Sequence, residues 1–154
     1  MGTSPHIMIV ESRYYELIAE ELINSVLHEL KTAGATYERF EVPGAFEIPA
    51  AIKFAIDGKV KRSSTNNFDG FVALGCVIRG QTTHYDYVCG ESARGLQDLA
   101  LKHSIALGYG ILTVENQEQA MARAKRSQQD RGGHAARACL KMIELKKHFE
   151  IYGK

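Results

Sequence analysis

Apolar positions along the chain fall into two alternating rhythms. Residues 6–10, His-Ile-Met-Ile-Val, form a short unbroken apolar run, the pattern of a strand buried on both faces. Ser12 then stands where a helix cap is expected. Behind it Leu17, Ile18, Leu22, Ile23, Val26, Leu27 and Leu30 recur by threes and fours on one helical face, with Gly34 placed to stop the helix. A second strand is predicted over Thr36–Val42, broken by Pro43 and Gly44. Residues 45–56 return to a helical pattern that stops at Asp57 and Gly58. After a polar stretch over residues 59–67 comes the strongest strand signal, residues 71–78, Phe-Val-Ala-Leu-Gly-Cys-Val-Ile. Ala93, Leu96, Leu99 and Ala100 predict a helix down to about His103, and residues 111–114 a fourth strand. Two helices close the chain, the last with a stripe of Ala135, Ala138, Cys139, Met142, Leu145 and Phe149.

Strands alternating with helices imply right-handed crossovers and an α/β fold, a four-stranded parallel sheet flanked by helices on both faces. Ligands of such sheets collect outside the carboxyl ends of the strands. The chemistry is therefore expected just after Val10, Val42, Ile78 and Val114.

Composition narrows the class. At 154 residues and 45% hydrophobic content, residues 1–154 fit one domain with a packed core. Nineteen Lys and Arg against eighteen Asp and Glu give a formal charge of +1, without the basic excess of a nucleic-acid binder. No apolar run approaches the roughly 18 residues of a membrane span, and residues 1–6 lack the pattern of a secretion signal. A cytoplasmic protein is expected. The three cysteines, Cys76, Cys89 and Cys139, have no Cys-x-x-Cys spacing, and the histidines no i, i+4 pairing, so neither disulfides nor a metal site is predicted. The phosphate loop of nucleotide hydrolases, the Gly-x-Gly-x-x-Gly dinucleotide turn and the Gly-x-Ser-x-Gly elbow are all missing.

The densest polar chemistry follows the third strand, in Arg79-Gly80-Gln81-Thr82-Thr83-His84-Tyr85-Asp86-Tyr87. Gly80 permits close approach of a ligand, and the amides and hydroxyls around Gln81 and Thr82 can bind a phosphate near a helix start. An ordinary capping turn uses the same residues. His84 is the candidate for proton transfer, because imidazole both accepts and donates near neutral pH. Asp86 points elsewhere and reads as structural. After the second strand, Pro43 and Pro49 fix the backbone around Gly44, Ala45, Phe46 and Glu47, where a carboxylate can hold a polyol. Phe46 as core and Glu47 as a first-turn charge is the competing reading. Tyr14 and Tyr15 can stack a planar heterocycle or simply pack a helix start. Arg123, on the helix that opens after the fourth strand, can grip a phosphate with its fork or stand in solvent.

Three segments in this order resemble the lumazine synthase family: residues 42–49, residues 75–88 and residues 110–120. The fold that resemblance implies is the flavodoxin-like three-layer sandwich. The reaction it implies is condensation of 5-amino-6-(D-ribitylamino)uracil with 3,4-dihydroxy-2-butanone 4-phosphate to 6,7-dimethyl-8-ribityllumazine, phosphate and water. No cofactor takes part, and the product is handed to riboflavin synthase.

By position, Tyr14 is similar to the family's ring-stacking aromatic. Ala45, Phe46 and Glu47 correspond to its ribityl-binding loop, and Cys76, Val77 and Ile78 to the backbone edge that reads the pyrimidine. Gln81, Thr82 and Arg123 match the butanone phosphate site and His84 the proton-transfer histidine. The resemblance further implies that Tyr109 and Arg123 come from a neighbouring subunit. The chain departs from the family in residues 125–133, Lys-Arg-Ser-Gln-Gln-Asp-Arg-Gly-Gly, which lack the Gly-Thr-Lys-Ala-Gly-Asn hinge of capsid-forming members. The family's phosphate lysine falls on Ser127, with Lys125 or Arg126 to replace it. A homopentamer or a dimer of pentamers is expected in place of an icosahedral shell. The rival reading is a non-catalytic binder of ribityl-lumazine or flavin with the same fold.

Overall fold

The computed structural model describes residues 4–58 and 68–151. The polar stretch 59–67 lies outside them. Four strands, β1 (His6–Ser12), β2 (Thr36–Val42), β3 (Gly70–Ile78) and β4 (Leu107–Val114), pair in the order β2-β1-β3-β4. Every pairing is parallel. Helices α1 (Glu16–Thr32), α2 (Ile48–Asp57) and α3 (His84–His103) lie between successive strands, and α4 (Gln117–Ala124) and α5 (Arg131–His148) follow β4. The three-layer sandwich expected from the pattern is present.

The two-residue period of the strands sorts their side chains into two cores. Ile7, Ile9, Val72, Leu74, Leu112 and Val114 pack against Leu22, Ile23, Val26 and Leu30 of α1 and Ala135, Ala136, Cys139 and Ile143 of α5. On the opposite face Met8, Val10, Phe71, Ala73 and Ile111 meet Ile48 and Ile52 of α2 and Val88, Leu96 and Leu99 of α3.

Several boundaries differ from the pattern-based expectation. Strand β1 runs two residues past Val10, because Glu11 and Ser12 keep pairing with Glu41 and Val42. Ser12 is therefore in the strand and caps nothing; α1 begins at Glu16 behind Tyr15, with no side-chain cap. Strand β4 starts at Leu107, four residues early. Gly108 and Gly110 hide its apolar rhythm, and they are small because α5 lies against them: a Cβ on Gly108 would collide with the Ala135 carbonyl. Residues 45–47 form a 3-10 turn ahead of α2, so the single helix expected from residue 45 is split. Gly34 ends α1 as expected, at φ +70°.

Candidate active site

Beyond Glu11, β1 no longer pairs with β3, whereas β3 continues beside β4 as far as Ile78 opposite Val114. Residues 75–78 therefore have a strand on one side only. Backbone groups on the other side face a cavity of about 550 Å³ at the carboxyl end of the sheet. Its walls are Ser12 at the end of β1, Tyr14 and Tyr15 after it, Pro43 to Glu47 after β2, Cys76, Val77 and Ile78 of β3, and His84, Tyr87 and Val88 of α3.

Each wall has a local cause. Tyr14 is 76% exposed and touches Tyr15 edge-on, with ring centroids 4.9 Å apart. Phe46 is 55% exposed, which overturns the reading of it as core. Gly44 gives room for the Glu47 carboxylate to fold back, since a Cβ there would stand 3.2 Å from Oε1. His84 opens α3, and its backbone N–H donates to Thr82 Oγ1 at 3.4 Å. Burial pushes the Cys76 thiol up to about 12, so it stays protonated and is no nucleophile at neutral pH. Burial also raises Tyr15.

Tyr14, Ala45, Phe46, Glu47, Cys76, Val77, Ile78 and His84 thus share one cavity, as the sequence suggested. Four other candidates lie off its walls. Gln81 and Thr82 sit in the exposed turn before α3. Tyr109 pairs with Ala73, well short of the strand end, and its hydroxyl is raised by burial and then by neighbouring Cys89 and Tyr85. Arg123 folds back on α4, Nη1 donating to the Gln119 carbonyl at 3.1 Å. Lys125, Arg126 and Ser127 line a different pocket, of about 460 Å³, with Glu21, Asn24 and Ser25 of α1. A wider groove of about 680 Å³ runs between α2 and α3 past Lys53, Asp98 and His103, away from the strand ends, and contains none of the candidates.

Tyr87 and Val88 were not singled out from sequence. Their spacing from His84, i+3 and i+4 on one helix face, was the available signal. Ser12 escaped notice because it was read as a cap.

Aromatic rings, a free backbone edge, one carboxylate and one imidazole together fit a planar heterocycle with a hydroxylated chain, plus a proton to move. Fold and cavity define a small α/β protein with a cavity at the carboxyl ends of a parallel sheet, the place where such folds bind substrates. The family model described as 6,7-dimethyl-8-ribityllumazine synthase matches residues 4–147. The chain is 58% identical over 141 residues to 6,7-dimethyl-8-ribityllumazine synthase 1 of Rhizobium meliloti (strain 1021), spanning 92% of this chain and 91% of that protein. It is 55% identical over 145 residues to the 6,7-dimethyl-8-ribityllumazine synthase of Agrobacterium fabrum, spanning 94% and 97%. The chain belongs to the 6,7-dimethyl-8-ribityllumazine synthase family.

Proposed function

We propose that this protein is a transferase that condenses 5-amino-6-(D-ribitylamino)uracil with 3,4-dihydroxy-2-butanone 4-phosphate to give 6,7-dimethyl-8-ribityllumazine, phosphate and water. The observation that carries this reading is the single cavity that joins Tyr14, Phe46, Glu47, the open edge of residues 76–78 and His84. The pyrimidine stacks on Tyr14 and hydrogen-bonds the backbone of Cys76, Val77 and Ile78. Ala45, Phe46 and Glu47 hold the ribityl chain, whose hydroxyls donate to the carboxylate. The 5-amino group attacks the ketone carbonyl and water leaves to give an imine; phosphate is then eliminated, and the ribityl-bearing nitrogen attacks the carbonyl this unmasks and closes the ring with loss of a second water. His84 moves the protons. The rest of the rate comes from holding two substrates in register, and no cofactor is called for.

Gln81, Thr82 and Arg123 take the phosphate, with Arg123 and Tyr109 supplied by a neighbouring subunit. Their position off the cavity wall of their own chain supports a shared site. Each chain is one domain over residues 1–154, and the chains assemble as a homopentamer, or as two pentamers face to face, in the cytoplasm. The product passes to riboflavin synthase.

Mixing purified protein with both substrates tests the reaction: lumazine fluorescence must appear. Oligomeric protein that binds lumazine but makes none would be the non-catalytic binder. Sedimentation at micromolar concentration tests the assembly, and a megadalton particle would overturn the pentamer.

A further inference from the structure

The segment over residues 13–15 has to hold Tyr14 steady with few means of its own. Helix α1 starts behind Tyr15, at φ −104° and ψ 95°, and no side chain caps its first turn. Tyr14 is mostly exposed and meets, among the described residues, one aromatic ring, that of Tyr15. The ring's position is therefore set by the backbone, and the backbone is fixed through Arg13. Its Nη1 donates to Glu11 Oε1 at 2.9 Å, while Nη2 pairs with Glu20 at 3.2 Å and Glu16 at 3.4 Å. One guanidinium thus ties the end of β1 to the first two turns of α1.

Glu11 anchors the arrangement. It is 3% exposed, and a carboxylate that deep requires cations and hydrogen bonds. Its second oxygen accepts from Arg39 Nε at 2.7 Å. Arg39 lies on β2, the strand that leads into Pro43–Gly44 and the Phe46–Glu47 loop. A single buried carboxylate therefore connects the segment that carries Tyr14 with the strand that leads into the loop proposed to hold the ribityl chain.

We propose that Arg13, acting through Glu11, is a positioning residue that sets the height of Tyr14 for stacking and so tunes affinity for the heterocycle alone. This rests on the reading of Tyr14 as the stacking ring. The phosphate end of the reaction lies on other elements and is untouched by the clamp.

The test titrates 6,7-dimethyl-8-ribityllumazine by its fluorescence and measures kcat and both KM values. Arg13→Gln weakens lumazine binding and raises the uracil KM about tenfold, the size of one lost stacking contact. Its kcat and the butanone phosphate KM stay within about twofold. Arg13→Lys, with one donor in place of a fork, recovers part of the affinity. Should Arg13→Gln misfold because Glu11 loses a partner, the double variant Glu11→Gln/Arg13→Gln removes both charges and shows the same loss. Equal losses for the two substrates, or wild-type lumazine affinity in the double variant, overturn the clamp. Tyr14→Ala separates the two layers: lost affinity there with wild-type affinity in Arg13→Gln defeats the clamp alone. Wild-type affinity in Tyr14→Ala defeats the stacking reading and the clamp with it.

Discussion

The guanidinium carbon of Arg79 lies 4.3 Å from the centroid of the Tyr85 ring. The same side chain bonds both Glu115 carboxylate oxygens, at 3.0 and 3.1 Å, and pairs with Asp86 at 3.7 Å. Arg79 directly follows β3 and Tyr85 sits in the first turn of α3, so the contact fastens the two ends of the turn that carries Gly80, Gln81, Thr82 and Thr83. Asp86 belongs to this clasp, which accounts for its structural reading. These contacts hold both ends of the turn that leads to the imidazole at the head of α3, on the cavity wall.

His84→Ala is accordingly expected to lower kcat by about 10² to 10³, the usual contribution of a positioned acid–base group. Lumazine affinity should change less than about threefold, since the imidazole adds little to the stacking platform. Steady-state fluorescence assays and ligand titration measure the two quantities separately. A variant that lost binding and kept its turnover number would remove His84 from proton transfer.

Arg123→Ala should raise the KM of the butanone phosphate far more than that of the uracil. A charge-assisted bond to phosphate contributes about 1.5–3 kcal/mol, or roughly 10- to 150-fold. In this chain Arg123 Nη1 donates to the Gln119 carbonyl, and the guanidinium has further N–H donors for the phosphate contact proposed above. Equal losses for the two substrates would refute the assignment.

Cys76 stands on the cavity wall with its thiol held up to about 12 by burial. Cys76→Ser should keep turnover within about threefold, because the pyrimidine contact proposed above is to the backbone of this residue and not to its sulfur. Iodoacetamide at pH 7 should leave activity intact, thiolate being scarce so far below the titration point. Rapid inactivation that substrate prevents would show a reactive thiol.

Burial raises Cys139 to about 12 as well, from an ordinary thiol value of 9.0. Below pH 9 folded and unfolded chains both keep that proton, and the favourable contribution of the neutral buried thiol is complete. Between pH 9 and 12 the unfolded chain releases it first, so stability falls as pH rises, by at most about 1.4 kcal/mol per pH unit for each thiol. Urea unfolding at pH 8 and pH 10.5 should show this decline, and Cys139→Ala should make it shallower. An unchanged slope in the variant would assign the alkaline loss to other groups.

Much of this was legible in the chain because burial on two faces writes long apolar runs. Residues 71–78 read as a strand buried on both faces, and in a parallel sheet the polar segments behind β2 and β3 then lie at the carboxyl ends of the strands. The resemblance in residues 42–49 and 75–88 then supplied roles that local chemistry left open, such as that of Phe46. What stayed hidden depends on contacts between distant residues. No pattern reveals that Glu11 pairs with Arg39 across the sheet, that β1 stops pairing before β3 does, or that Arg123 turns back on its own helix. The early start of β4 was masked for a related reason. Its glycines carry no hydrophobic signal, and their smallness reports on a helix much further along the chain.

That last relation gives a sharp stability test. A methyl group on Gly108 would run into the backbone carbonyl of Ala135 and stand 3.2 Å from Cys139 Cβ. Backbone cannot rotate aside as a side chain can, so α5 would have to lift from the sheet and open its contacts along β4. Gly108→Ala should cost about 3 kcal/mol, at the upper end for overpacked cores. Gly90, in the middle of α3, has nothing within 4 Å of an added Cβ. There the same substitution relieves the entropic penalty of glycine in a helix and should stabilise by about 0.5–1 kcal/mol. Urea midpoints of the two variants should move in opposite directions. If Gly108→Ala matches the wild type, the close seating of α5 on β4 is wrong, and with it the explanation for the hidden start of the strand.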